Sequence, residues 1–223
     1  MTPRRLVPTL SEEQALLEAG YRAIAGVDEA GRGTWAGPVA AAAVVLPLDC
    51  AEALAALDGV CDSKMLPPRK REALEQRIVE EAVAVGFGLA SASEIDRMGI
   101  LPATRLAMRR AIANLGIAAD FLLIDAVRLP QEPIHQKSIV RGDALCFSVA
   151  AASIVAKVRR DRLMAELDGL YPGYGFARHK GYGTAQHLEA LRALGPCPIH
   201  RRTFAPVRAC LDGRGAAAQD GPR

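Results

Sequence analysis

Four carboxylates stand where metal-assisted chemistry would need them. Asp28 and Glu29 end an apolar run, Ile24 to Val27, directly before a glycine-rich turn, GRGTWAG. Asp125 closes the apolar run Phe121-Leu122-Leu123-Ile124, and Asp143 lies just ahead of a long helical stretch. In an α/β sheet, neighbouring strand ends bring such residues into one crevice. Crowded carboxylates raise one another's pKa and do not all stay ionised without a cation. Oxygen donors alone, with no His or Cys at ligand spacing, suit Mg2+ or Mn2+ rather than zinc. Two such ions about 4 Å apart would clamp a phosphodiester and activate water.

The same turn supports a competing reading. Gly31-x-Gly33-x-x-Ala36 matches the dinucleotide fingerprint, with Asp49 or Glu52 further on, as in an NAD-dependent oxidoreductase. Two features oppose it. Asp28 and Glu29 would set two negative charges beside a pyrophosphate, and VAAAAVVL after Pro38 reads as a strand rather than an amphipathic helix. A non-catalytic nucleic-acid binder is opposed too, since binding alone gains nothing from carboxylates facing phosphate.

These residues need a scaffold, and its elements are legible. Ser11 and Gln14 form an S-x-x-Q capping box that starts a short helix ending at Gly20. Residues 24–27 are a strand, and Val39 to Leu46, apolar on both faces, is a buried second strand paired antiparallel with it. Pro67-Pro68 opens a helix with Leu74, Ile78 and Ala82 on its buried face. Strands follow at Val85 to Ala90, at residues 121–124 and near Ile134 to Val140. Thr104, Met108, Ala111 and Leu115 mark a helix stopped by Gly116. The long helix after Asp143 buries Ala151, Val155, Val158, Leu163 and Leu167, and a last one spans Thr184 to Leu194. The order predicts an α/β sheet with an antiparallel start.

Bulk properties bound the rest. With 223 residues, half of them hydrophobic, the chain can build a core without disulfides. Aromatics are only 4 %, so helices must pack on the sheet through Ala, Val and Leu. Five scattered cysteines without a C-x-x-C pair point to a reducing cytoplasm. No signal peptide is read at the start, and the apolar stretch 39–46 is too short to span a bilayer. A net charge of +3 is too mild to name a partner, so the placement of charge matters more. Tyr171, Tyr174, Phe176, Arg178, His179, Lys180 and Tyr182 crowd together, with Arg201 and Arg202 beyond, as a surface gripping a nucleic-acid duplex would require. His179, His187 and His200 read as surface or phosphate-proximal residues.

Taken in order, IAGVDEAGRGTWAGPVAAAAVVL, CDSKML, LLIDAV, RGDALCFSVAAASIVAKVRRDRLM and YGFARHKGYGTAQHLEAL with HRRTFAPV resemble the bacterial type 2 ribonucleases H, the ribonuclease HII family. The resemblance implies a ribonuclease H-like mixed sheet flanked by helices, with a C-terminal helical segment. It divides the chain into an arm and short helix at 1–20, a catalytic core at 21–170, a substrate-gripping loop and helix at 171–210, and a disordered tail at 211–223. It implies an endoribonuclease that hydrolyses the RNA strand of RNA–DNA hybrids and cuts 5′ of single ribonucleotides in duplex DNA, leaving 3′-hydroxyl and 5′-phosphate ends. The cellular roles implied are ribonucleotide removal from DNA and RNA primer removal. By position, Asp28, Glu29, Asp125 and Asp143 resemble the family's catalytic carboxylates, holding Mn2+ or Mg2+. Gly31-Arg32-Gly33 resembles the turn whose backbone reads the 2′-hydroxyl, Lys64 a phosphate contact, and Tyr182 the ring that packs on the next deoxyribose. A monomer is the family-like expectation, and the tail offers no bulky apolar anchor for a clamp protein. Thr34-Trp35 departs from the Pro-Leu or Cys-Leu expected after the turn. Leu145 and Pro67 depart at positions often basic and often Ser or Thr, and Trp35 is read as packing beneath the turn.

Overall fold

β1 (Ile24–Ala30) is the axis of a mixed five-stranded sheet. β2 (Val39–Val45) runs antiparallel beside it, with Ala25 opposite Val45 and Ala30 opposite Ala40. Every β2 residue is buried, as a strand apolar on both faces must be. β3 (Ala84–Ala90) lies outside β2, while β4 (Phe121–Asp125) and β5 (His135–Ile139) continue in parallel from β1. The order is β3-β2-β1-β4-β5. Its register pairs Val27 with Ile124, so the next residues along, Asp28 and Asp125, emerge together at the carboxyl ends of neighbouring strands.

The structure, a computed structural model, describes residues 6–219, with side chains through 212. The helices are α1 (Ser11–Glu18), α2 (Ala51–Ala56), α3 (Pro68–Glu81), α4 (Ala92–Met98), α5 (Ile100–Ala113), α6 (Gly142–Leu145), α7 (Phe147–Leu170), α8 (Phe176–His179), α9 (Ala185–Leu194) and α10 (Ala205–Gln219). No described helix is long and apolar enough to cross a membrane. Two compact units are interleaved along the chain. Unit one takes the residues through Ala30, Ala40–Leu89 and Thr104–Arg159; unit two takes Gly31–Val39, Ala90–Ala103 and the chain from Arg160 onward. The linear division at residues 20, 170 and 210 follows sequence order and crosses these units.

Unit one is built on small side chains. Val44, Leu57, Ile78, Ile154 and Val155 are fully buried in one cluster with six buried alanines. At Gly26 a Cβ would stand 2.2 Å from the carbonyl carbon of Ser148, so only glycine lets the first turn of α7 rest on β1. Unit two centres on Ala36, Met164, Tyr174, Phe176 and Cys197.

Several elements differ from the sequence reading. The expected capping box at Ser11 does not form. Leu10 is the N-cap, without a side-chain bond, and Ser11 lies inside the helix. The entering chain is instead held extended, Thr9 bridging Cys146. A capping box does form at Ser91 and Glu94, starting α4, which the apolar spacing did not reveal because the helix is only seven residues long. The long helix read from Val149 to Leu167 forms within α7, while the short α6 ahead of it, set off where Cys146 is extended (φ −109°, ψ 130°), was not read. Backbone of the expected tail is helical as far as Gln219, where the alanine-rich sequence favours helix. Residues 220–223 of that stretch lie outside the described residues. All five cysteines are free thiols.

Candidate functional site

In unit one the strand ends gather carboxylates as their register requires. Oxygens of Asp28, Glu29 and Asp125 all lie within 4.8 Å of one another. Asp28 is 4 % exposed, and its Oδ1 accepts the Glu29 amide at 2.7 Å. Asp125 sits at a sharp exit from β4. Ala126 adopts the left-handed region (φ 47°), and the Val127 amide turns back to the Asp125 carbonyl, closing a three-residue turn. Asp125 Oδ1 accepts the Gly142 amide at 2.7 Å, which ties the start of α6 to the end of β4.

That tie brings in the fourth acid. Arg141 (φ 60°) reverses the chain out of β5, and α6 then carries Asp143, 5 % exposed. Lys64 Nζ donates to Asp143 Oδ2 at 3.1 Å. The turn holding Lys64 is itself fastened: Asp62 Oδ1 accepts the Lys64 amide, and Ser63 Oγ bonds Ser153 Oγ at 2.8 Å. All four sequence-predicted acids therefore belong to unit one, with Lys64 on the fourth.

The electrostatics are those of a site short of positive charge. Burial, then the charges of Glu29 and Asp125, hold the Asp28 carboxyl well above the ordinary carboxylate range. Burial and Asp143 also raise Asp125, against the opposing pull of the Gly142 amide and Lys64. Burial alone would lower Lys64, but its bond to Asp143 outweighs that and raises it. Three converging oxygen donors, one buried and two partly buried, with the Asp28 and Asp125 carboxyls held above their ordinary range, fit a hard divalent cation.

Unit two contains the glycine turn. Gly31 has φ 89°, and a Cβ there would stand 1.9 Å from Arg160 Nε, so both conformation and space demand glycine. Arg160 and Arg201 are fully buried beneath the turn. Arg201 donates to the carbonyls of Gly31, Arg32 and Gly37 at 2.6, 2.7 and 3.0 Å. Arg160 donates to Pro38, Ala36 and Lys180 carbonyls and to Thr34 Oγ1. Thr34 in turn donates to the Gly31 carbonyl, which accounts for threonine at a position where Pro or Cys was expected. With those carbonyls turned inward, Arg32 and Gly33 are left exposed. Trp35 packs on the His187 ring at 5.3 Å. A Cβ on Gly183 would lie 2.1 Å from its indole.

The basic and aromatic segment is sorted differently from the sequence reading. Arg201, His179, His187 and His200 are buried rather than facing phosphate, and Tyr174 and Phe176 stack within the core. His187 and His200 form a hydrogen-bonded chain whose tautomers follow from their partners. A carbonyl can only accept, so His187 Nδ1 donates to the Tyr182 carbonyl at 2.9 Å. His187 Nε2 then accepts from His200 Nε2 at 3.0 Å, leaving His200 Nδ1 to accept the Cys197 amide. Burial pushes both imidazoles down to about 4, so both are neutral near pH 7. Burial, then Arg160, lowers Arg201 to about 9. Tyr182, Arg178 and Arg202 remain exposed. Sequence spacing missed Arg160 and Arg201 as builders of the turn, since their partners are carbonyls up to 170 positions away.

The glycine turn leads into β2, not a helix, so the dinucleotide reading lacks the helix N-terminus that would hold a pyrophosphate. A mixed sheet of this order, with acids at the ends of β1 and β4, is a ribonuclease H-like fold. The crystal structure of ribonuclease H2 from Pyrococcus horikoshii superposes with a TM-score of 0.72 at 28 % identity, covering 86 % of this chain and 98 % of that one. Residues 25–207 match the family Ribonuclease HII, and the chain belongs to it. It is 59 % identical to the ribonuclease HII of Roseiflexus castenholzii over 200 residues, 90 % of this chain and 89 % of the other. It is 52 % identical to that of Dehalococcoides mccartyi over 210 residues, 94 % and 99 % of the two chains. The activity class is that of a type 2 ribonuclease H.

Proposed function

We propose that this chain hydrolyses the RNA strand of RNA–DNA hybrids and cuts on the 5′ side of single ribonucleotides in duplex DNA, leaving 3′-hydroxyl and 5′-phosphate ends. The observation that carries the reading is the approach of Asp28, Glu29 and Asp125 oxygens within 4.8 Å of one another, where burial and the neighbouring acids hold the Asp28 carboxyl well above its ordinary range. Asp28, Glu29, Asp125 and Asp143 would hold Mg2+ or Mn2+. Ions bound there neutralise charge on the phosphate and activate water. The protein's own part is to fix the oxygens. Asp28 is oriented by the Glu29 amide, Asp125 by the Gly142 amide, and Asp143 by Lys64. Lys64, 76 % exposed at its side chain, is assigned to the phosphate beside the cut.

Selectivity is a separate task, because a metal-bound site attacks any phosphodiester correctly placed in it. The backbone of Gly31-Arg32-Gly33 is assigned to the 2′-hydroxyl, since that group alone separates RNA from DNA. The exposed ring of Tyr182 is assigned to the following deoxyribose, where a 2′-hydroxyl would crowd it. Removal of ribonucleotides from DNA and of RNA primers are the roles this specificity suits. The test is cleavage of a labelled DNA duplex carrying one ribonucleotide, with and without Mg2+ or Mn2+. Cutting 5′ of the ribonucleotide only when metal is present is expected; metal-independent cutting, or none, overturns the reading.

A further inference from the structure

Asp143 rides on a helix that cannot hold itself in place. α6 has four residues, enters from a left-handed Arg141 and ends at an extended Cys146, so it lacks the length at which a helix is self-supporting. The Gly142 amide bonded to Asp125 fastens its front end. Its back end is fastened by the chain's own beginning. The Thr9 amide donates to the Leu145 carbonyl at 3.0 Å, and the Phe147 amide donates to the Thr9 carbonyl at 3.0 Å. These two bonds bracket Cys146, the break between α6 and α7.

One turn further along, Glu13 closes the bracket. It lies in α1, is fully buried, and its Oε1 accepts both the amide and the hydroxyl of Ser148, at 2.8 and 2.7 Å, across 135 positions of sequence. Ser148 is the second residue of α7, so Glu13 satisfies one of the first-turn amides that have no intrahelical acceptor. A carboxylate at a helix start is favoured by the helix dipole, but burying one is costly. A neutral residue at Ser148's own end of the helix could cap it at less expense. The location is what distinguishes Glu13: the amide it fixes lies just beyond the break, five residues after Asp143.

We propose that Thr9 and Glu13 form a clamp on the α6–α7 junction that sets the position of Asp143, making Glu13 a positioning residue for metal binding. The inference rests on the metal-site reading above. The N-terminal arm, to which the sequence assigned no task, thereby becomes part of the site's support although it touches neither substrate nor ion.

The experiment measures Mn2+ binding calorimetrically to wild-type protein and to Glu13→Ala and Glu13→Gln, below their melting temperatures, alongside the Mn2+ dependence of cleavage. Loss of a residue that supports a ligand weakens metal affinity about 10- to 100-fold. Glu13→Ala is expected to weaken Mn2+ binding by about tenfold at the site Asp143 completes, with the cleavage midpoint moving to higher Mn2+ by a similar factor and the rate largely recovered at saturation. Glu13→Gln keeps an oxygen able to accept both Ser148 donors and is expected to restore binding. If Glu13→Ala does not fold, Thr9→Pro, which deletes the amide donated to Leu145 and keeps Glu13, is measured in its place and is expected to show the same shift. Unchanged Mn2+ binding in a folded variant, with only a lower melting temperature, would reduce the clamp to ordinary packing and overturn the proposal. Absence of Mn2+ binding to the wild type would instead remove the metal-site reading beneath it.

Discussion

Unit one and unit two each concentrate polar groups of one kind, and each deals with them in an opposite way. The carboxylates of unit one lie close together, and their mutual charge holds the Asp28 and Asp125 carboxyls above the ordinary range although Lys64 bonds Asp143. The buried arginines and histidines of unit two are each matched by carbonyls, hydroxyls or amides of their own unit. Asp28 and Asp143 are buried much as the unit-two side chains are, so burial alone does not mark a reactive site. What differs is whether the internal partners can complete the electrostatics. A cluster that lacks its counter-charge is poised for a ligand; a cluster that has it is scaffold.

The sharpest way to break this contrast is to neutralise one acid. Asp28→Asn and Asp125→Asn are each expected to abolish cleavage yet melt, in the absence of metal, no lower than the wild type, because like-charge repulsion is relieved. Near-normal turnover in either, assayed at saturating Mn2+, would remove that residue from the site. A variant that unfolds would instead move its carboxylate into the scaffold class.

In unit two the same kind of change should act on stability. Arg201→Met removes the guanidinium donor from three carbonyls, of which Gly31 keeps the Thr34 hydroxyl while those of Arg32 and Gly37 lose this partner, and each unsatisfied buried group costs about 1–3 kcal/mol. Denaturant unfolding is expected to show a loss of about 3 kcal/mol or more, with Arg201→Lys recovering little, because one ammonium cannot reproduce the fork. A change below about 0.5 kcal/mol would mean that the turn does not depend on it.

Tyr182 belongs to neither class, being exposed and assigned to substrate. Losing a stacking contact costs about 1–3 kcal/mol, so Tyr182→Ala should slow cutting at a single ribonucleotide about ten- to a hundred-fold. Tyr182→Phe should lose much less. On a long hybrid, where the next sugar is itself ribose, the alanine variant should lose proportionately less than at a single ribonucleotide. Equal losses on both substrates would make the ring a general binding contact and leave junction selectivity to the glycine turn.

The smallest effect is a divergence with pH. His187 and His200 titrate near 4 in the folded protein and near 6.5 when unfolded, so the unfolded state binds more protons between those values. Their contribution is fully present above about pH 6.5 and is lost as pH falls toward 4. Asp28 runs the other way: its raised folded pKa means that acid relieves the cost of its charge. Metal-free Asp28→Asn should therefore lose stability with acid more steeply than the wild type, read as melting temperature between pH 7 and 4.5. Parallel curves would show that Asp28 carries no such cost.

Much of unit one can be read locally. An apolar run closed by an acid is a strand with the acid toward its carboxyl end, and this holds for Asp125, the last residue of β4, and for Asp28, although β1 runs on to Ala30. Strand β2 is legible for the same reason, since seven apolar residues leave no face for water. The short α6 and the break at Cys146 were not legible, because the bonds to Thr9 that bracket the break come from more than 130 residues away. The missed cap at Glu13 has the same origin.

By itself, then, the sequence determined which acids end strands, which strand is interior, and through ordered motifs which family the chain joins. Tertiary structure alone decided the fate of the long polar side chains. Arg32 and Arg201 are identical in type and both lie in irregular segments, yet one is exposed and the other fully buried. A guanidinium is buried wherever carbonyls converge to accept its donors, and those of Gly31, Arg32 and Gly37 reach Arg201 from more than 160 residues away. That convergence exists only after folding, and no local pattern encodes it.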